Sequence, residues 1–163
     1  LGTGCGNIAV SLAYYLPGSI VLGVDSSAAT LELARQNAQN MGVGARTGFF
    51  CGDFQAFFAQ NRQRFHVIVS NPPYIPRRKL PFLPPAVQKE PRLALNGGED
   101  GLDAYRTIFS FVRKALFSPG LLVLEIGENQ AMDVLAFGRQ ANFDGAVIVP
   151  DLAGRERVVV FSS

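Results

Sequence analysis

Apolar and polar positions alternate along this chain in short blocks, and the blocks predict strands and helices in turn. An amphipathic run over 7–16 reads as a helix stopped by Pro17-Gly18. A short apolar strand over 20–24 ends at Asp25, and a helix from about 28 to 41 follows, capped by Ser26 or Ser27 and ended by Gly42. A weaker strand over 47–51 leads through Gly52-Asp53 into a short helix carrying Phe54, Phe57 and Phe58. Phe65 to Ser70 is mostly β-branched and reads as a buried strand. Residues 75–100, with prolines at 76, 81, 84, 85 and 91, read as a long irregular segment of the kind that forms a lid or a binding surface.

A helix over about 103–117, a Pro119-Gly120 turn, a strand over 121–126, a helix over about 130–140 and strands near 146–149 and 157–161 complete the pattern. Strands alternating with helices predict a doubly wound, Rossmann-like α/β sheet, mostly parallel. Only about eight residues separate the last two strands, too few for a helical crossover, so they are expected to pair as an antiparallel hairpin.

Hydrophobic residues make up 48% of the 163 positions and charged residues 17%, which suits a single globular domain over 1–163 with many buried strands. No apolar run approaches the roughly eighteen residues a membrane span needs, and no basic-then-apolar leader is visible. A formal charge of +2 does not by itself argue for nucleic-acid binding. Arg77-Arg78-Lys79 is the exception to an otherwise dispersed charge; it is either a solvated loop or a contact with an acidic or nucleic partner. Cys5 and Cys51 form no metal-type pair, and the composition fits a reducing, cytoplasmic compartment. His66, the single histidine, lies inside an apolar strand and reads as a packed residue rather than a base.

Chemistry concentrates at strand ends. Gly2, Gly4 and Gly6 form a G-x-G-x-G loop opening a helix, where glycine lets the backbone approach a ligand. Asp25 at the next strand end can accept both hydroxyls of an adenosine ribose, and Asp53 at the third can reach an adenine amino group with Phe54 near the ring face. Each acid also suits a helix cap. Gly4 to Ala9 fits a variant of the NAD fingerprint as well, but no hydride-transfer kit accompanies it, and S-adenosylmethionine fits better. Asn71-Pro72-Pro73-Tyr74 adds a carboxamide, two prolines without donors and an aromatic ring, a set suited to a planar NH2 group lying against Tyr74. Such a group is a side-chain amide or an exocyclic amine of a nucleic-acid base.

These residues resemble the class I S-adenosylmethionine-dependent methyltransferases, and within them the protein-(glutamine N5) methyltransferases of the HemK/PrmC type. The resemblance is carried by Leu1-Gly-Thr-Gly-Cys-Gly6, Gly23-Val-Asp25, Gly52-Asp53 and Val69-Ser-Asn-Pro-Pro-Tyr-Ile-Pro76. It continues through Glu90-Pro-Arg-Leu-Ala-Leu95, Gly97-Gly-Glu-Asp-Gly-Leu-Asp103, Leu124-Glu-Ile-Gly127 and Asp151-Leu-Ala-Gly-Arg-Glu-Arg-Val158.

The resemblance implies methyl transfer from S-adenosylmethionine, which becomes S-adenosylhomocysteine, to a glutamine amide of a peptide chain release factor, without a metal. It implies cofactor contacts from Gly2, Thr3, Gly4, Gly6, Asp25, Ser26, Asp53, Phe54 and Asn71. It also implies substrate contacts from Asn71, Pro72, Pro73, Tyr74 and Glu90, with Asn71, Pro72 and Tyr74 catalytic. Glu90 and Arg92 are then either a wall for a Gly-Gly-Gln loop or an ion pair. Glu125 either orients a ligand or is a satisfied acid, and Arg155 and Arg157 are candidates for holding the terminal hairpin against the 71–74 turn. The alternatives are a ribosomal-protein glutamine, an adenine amine in nucleic acid, or a module that binds the cofactor without turnover. Neither a membrane nor sequence-specific nucleic-acid binding is expected, and a mitochondrial location applies only if the source is eukaryotic. The chain opens on the glycine loop, so the family's first strand and its N-terminal helical domain are expected to lie outside it.

Overall fold

A computed structural model describes residues 1–163, which fall into two compact units, Leu1–Arg62 and Gln63–Ser163. Unit 1 runs α1 (Asn7–Tyr15), β1 (Val21–Asp25), α2 (Ala28–Asn40), β2 (Thr47–Cys51) and α3 (Phe54–Gln60). β1 and β2 pair in parallel, from Val21 opposite Thr47 to Asp25 opposite Cys51. Helices supply the crossover that parallel strands require. A small core of Val10, Ala13, Ala38 and Val43 closes over Val21 and Phe49. Ser27, rather than Ser26, caps α2 by accepting from Thr30 N.

Unit 2 contains β3 (Phe65–Ser70), the turn-length helices α4 (Pro85–Gln88) and α5 (Arg92–Leu95), α6 (Asp103–Ala115), β4 (Leu116–Glu125), α7 (Ala131–Gln140), β5 (Gly145–Pro150) and β6 (Glu156–Ser162). Its sheet has the order β3-β4-β6-β5, with β3 and β4 parallel and β6 antiparallel to both β4 and β5. The alternation of strands and helices and the antiparallel ending agree with the sequence pattern. The strands are hydrogen-bonded as two sheets, one in each unit.

Burial follows the expected periods. α6 buries Tyr105, Ile108, Val112 and Ala115, a stripe at helical spacing, and β4 buries Leu122 and Leu124 while Leu121 is exposed. Asp151 shapes the terminal hairpin, because its Oδ1 accepts from Ala153 N and Arg155 N.

Four details differ from the sequence reading. The helix at 103 stops at Ala115, because Leu116 already pairs with Phe65; Pro119-Gly120, expected as a turn between elements, lies in a bulge within β4 before pairing resumes at Val67 and Leu121. The segment 75–100 is not structureless. It holds a 3-10 turn over Arg77–Phe82 as well as α4 and α5, and Ile75 bridges to Asn96. β3 is half-buried rather than buried: Ile68 and Ser70 are buried, while His66 and Val67 are exposed. His66 is accordingly exposed, resting against Phe117 with ring centroids 4.6 Å apart.

Gly138 lies inside α7, where a Cβ would collide with the Phe161 ring. That ring is 1% exposed and hemmed by Phe109 and Phe143 at 5.3 Å, so it has nowhere to go. Alanine improves helix propensity by about 1 kcal/mol, but overpacking costs roughly 1–3 kcal/mol. Gly138→Ala is therefore expected to lower stability by about 1 kcal/mol or more in urea unfolding; an unchanged or raised midpoint would contradict the packing argument.

Candidate functional site

In unit 1 the glycine loop and the ends of β1 and β2 form one cluster. Gly2, Gly4 and Gly6 all have positive φ, at 62°, 54° and 86°. Thr3 N donates to Val24 O at 2.9 Å and Gly4 N to Asp25 Oδ2 at 2.8 Å, so the loop is tied to the strand end. Gly6 and Gly4 serve different ends. A Cβ on Gly6 would lie 2.9 Å from Ala34 Cβ, so Gly6 lets α1 and α2 pack closely. A Cβ on Gly4 would meet nothing within 4 Å, so Gly4 faces open space.

Asp25 also accepts from Ser27 N at 2.9 Å and, more weakly, from Thr30 Oγ1 at 3.4 Å. Its carboxylate is thus fixed, with acceptor capacity remaining for a hydroxyl pair. Asp53 is exposed and caps α3, accepting from Ala56 N at 2.6 Å, so the helix-cap reading of this acid is realised. Gly52 N donates to Asp25 O at 2.9 Å, which joins the ends of the two strands. Ser26 is exposed and Phe54 half-buried at the start of α3. Asp25 beside the open glycine loop and Asp53 at the neighbouring strand end make an acceptor set suited to a hydroxylated, amine-bearing ligand such as a nucleoside.

In unit 2, Asn71 leaves the end of β3 exposed, and its carboxamide makes no hydrogen bond to the chain. Pro72 is buried; Pro73 and Tyr74 are half-buried. Tyr74 Oη donates to Glu125 Oε1 at 3.2 Å, so Glu125 is occupied in orienting this ring. The turn is backed by the 97–101 loop. There Gly101 has φ of 86°, and a Cβ on it would collide with Tyr74 O, while a Cβ on Gly97 would come within 2.8 Å of Pro73 O.

Gln130 closes this packing, and the sequence reading missed it. Its Oε1 accepts from Gly127 N at 2.9 Å, and its Nε2 donates to Tyr74 O at 3.0 Å and to Gly101 O at 3.2 Å. The only local sequence signal is a glutamine three residues after Gly127.

Arg157 reaches Ile126 O at 3.2 Å and Asp151 Oδ2 at 3.4 Å, which ties the hairpin turn to the end of β4. Arg155 contributes through its backbone alone. Glu90 and Arg92 are exposed, and no ion pair joins them or links either to the 71–74 turn. Asp100 is held well below the usual carboxylate range, at about 2, chiefly by its hydrogen bond with Arg106, and this pair braces the loop that carries Gly101.

Burial raises the Tyr74 phenol above its ordinary range, the Glu125 charge and hydrogen bond raise it further, and the Arg157 guanidinium works the other way. Tyr105, whose Oη donates to Glu125 O at 2.8 Å, is raised as well, again mainly by burial. The folded state therefore keeps both protons at pH values where the unfolded chain has lost them. This stabilisation is complete below about pH 10 and is lost as pH rises through the folded values. The urea midpoint is expected to fall as pH rises above about 10, and to fall less in Tyr74→Phe, which has one fewer ionisable phenol; an identical decline in both proteins would refute it.

A family model described as a methyltransferase domain matches residues 1–84, just over half of the chain. The chain is 45% identical over 157 residues to a release factor glutamine methyltransferase of Moorella thermoacetica, a match covering 96% of this chain and 55% of that protein. It is 43% identical over 160 residues to the protein of the same name from Geobacter sulfurreducens, covering 98% and 55%. The chain thus spans about half the length of these curated relatives. Among solved structures, a methyltransferase from Pyrococcus furiosus matches with a TM-score of 0.71 at 15% identity, over 99% of this chain and 71% of that one. An RNA methyltransferase from Salinibacter ruber in complex with S-adenosyl-L-homocysteine matches at 0.59 and 18%, over 99% and 77%. At these identities the likeness is one of fold. No helix is long and apolar enough to cross a membrane.

Proposed function

This chain belongs to the methyltransferase domain family, and we propose that its protein methylates the side-chain amide nitrogen of a glutamine in a peptide chain release factor. The observation that carries this reading is the free Asn71 carboxamide at the head of a turn rich in acceptors and poor in donors, closed by an oriented tyrosine ring. The name shared by relatives at 38–45% identity supports it. Release factors act in translation, so this reading expects the protein to work in the cytoplasm.

The methyl donor in this reading is S-adenosylmethionine, assigned to unit 1. The residues there fit its nucleoside half. Asp25 is fixed and still has acceptor capacity, Gly4 leaves open space, and Asp53 and Phe54 start a helix at the neighbouring strand end. Bound there, it would supply an electrophilic methyl group on a sulfonium, a leaving group that can take the S–C electron pair.

The acceptor amide is assigned to unit 2. Its nitrogen is a poor nucleophile, because the lone pair is shared with the carbonyl. A poised general base is not needed if the two N–H hydrogens are held by acceptors. Asn71 Oδ1 and the Pro72 carbonyl fill that role and draw the nitrogen towards a tetrahedral shape. The Tyr74 face covers the amide plane and shields it from water during transfer, and the nitrogen, then positively charged, sheds its proton to solvent as the product leaves. Positioning and fixed dipoles then supply the rate gain.

Asn71→Ala is expected to lower kcat by about 100-fold or more while S-adenosylmethionine affinity stays within about tenfold. Mass spectrometry of a release factor incubated with the protein, and calorimetry with the donor, read the two effects. Undiminished turnover by this variant would overturn the reading. A second reading, an exocyclic amine of a nucleic acid, draws on exposed Arg77, Arg78 and Lys79, none of which forms an ion pair. Methyl incorporation into an oligonucleotide but not into a release factor would select it.

A further inference from the structure

We propose that Gln130 is a positioning residue for methyl transfer: its buried carboxamide sets the main-chain path of the 72–75 turn, and thereby the acceptors that hold the substrate amide. This rests on the function proposed above and adds a residue to it. Gln130 is 8% exposed and spends three of its four hydrogen-bonding capacities on three separate segments, at Gly127, Gly101 and Tyr74. The orientation of the amide follows from its partners. Two carbonyls need the NH2 and one N–H needs the oxygen, so the reversed amide would set oxygen against two carbonyls.

The turn has little else to hold its backbone. Pro72 and Pro73 have no N–H, and from Pro72 to Tyr74 the main-chain hydrogen bond present is the one from Gln130. Beyond Tyr74 the chain is tied again, by Ile75 N to Leu95 O at 3.0 Å and Gly97 N to Ile75 O at 2.9 Å. Glycine at two positions makes room for the clamp. A Cβ on Gly127 would lie 2.7 Å from Gln130 Oε1 and 2.9 Å from Tyr74 Cδ2, and a Cβ on Gly101 would lie 2.8 Å from Gln130 Nε2. Tyr74 is thus held at both ends, its hydroxyl by Glu125 and its carbonyl by Gln130. Without the clamp the ring would keep its tether while the carbonyls beside it drifted, and displacements on the order of 1 Å cost about 100-fold in rate.

Gln130→Met keeps the volume and removes all three bonds. Gln130→Glu keeps the acceptor for Gly127 N and turns a carboxylate on two carbonyls. Methyl transfer to a glutamine peptide is expected to lose roughly 10–100-fold in kcat in Gln130→Met, with KM within about threefold and donor affinity within about twofold. Gln130→Glu should be as impaired near pH 8 and recover part of the loss, relative to wild type, towards about pH 6. Burial and the facing carbonyls raise its carboxyl, and the protonated form returns one donor; a residue that only fills space has no such pH profile. Hydrogen exchange of the Ile75 and Gly97 amides is expected to quicken about tenfold in Gln130→Met, with those of Leu122 and Leu124 unchanged.

Wild-type kcat in Gln130→Met, or a donor affinity that falls in step with kcat, overturns the positioning role. Unchanged exchange at Ile75 and Gly97 overturns the clamp itself. A wild-type protein that methylates no glutamine peptide would sink the function proposed above, while the exchange result would still decide the clamp.

Discussion

Two successive prolines remove two backbone donors from the turn after β3, and much of unit 2 is arranged around that loss. Carbonyls in a half-buried turn need partners, and this stretch cannot provide them from its own main chain. Gln130 donates to Tyr74 O from the start of α7, and glycines at 97, 101 and 127 let three loops approach closely enough for one carboxamide to reach them all. Arg106 and Asp100 brace the 97–101 loop from outside, and Arg157 secures the terminal hairpin to the end of β4. The acceptors left unused at Asn71 and the prolines are the turn's chemistry.

Unit 1 solves a different problem with one side chain. Asp25 takes hydrogen bonds from the glycine loop and from the start of α2, so it sets the geometry of the loop it would share with a ligand. A carboxylate held by fixed N–H donors is preorganised, and a ligand binding to it need not first order the site. Asp53 is fixed more simply, as the cap of α3. For both acids the cap-like role and the binding role are compatible, because a carboxylate has more lone pairs than either role uses.

The order of elements was legible because helix and strand periods differ and most boundaries carry glycine, proline or a capping residue. The terminal hairpin followed from chain length alone, since about eight residues cannot hold a crossover helix. The strand-end candidates Asp25, Asp53 and Asn71 were legible for the same reason: each ends an apolar run or follows it within two residues. What stayed hidden depends on contacts distant in sequence. Leu116 joins β4 through Phe65, although Ser118-Pro119-Gly120 beside it reads locally as a turn. Gln130 is separated from two of its three partners by 56 and 29 residues, and a glutamine at a helix start looks like any solvated polar residue. His66 looked packed because its neighbours are apolar, but the first half of β3 is exposed, Val67 included, and an apolar neighbourhood in sequence does not bury a side chain.

Gln130 grips main-chain carbonyls, and every residue presents the same carbonyl whatever its side chain. The path of the turn is therefore indifferent to which ring stands at position 74, so long as position 101 remains glycine. Scaffold and specificity are separable here: the aromatic face could be exchanged, or the residues flanking Asn71 altered, without releasing the backbone that presents them. Under the function proposed above, such a fold can change the group it methylates by substitution at the surface of the turn and keep its architecture intact.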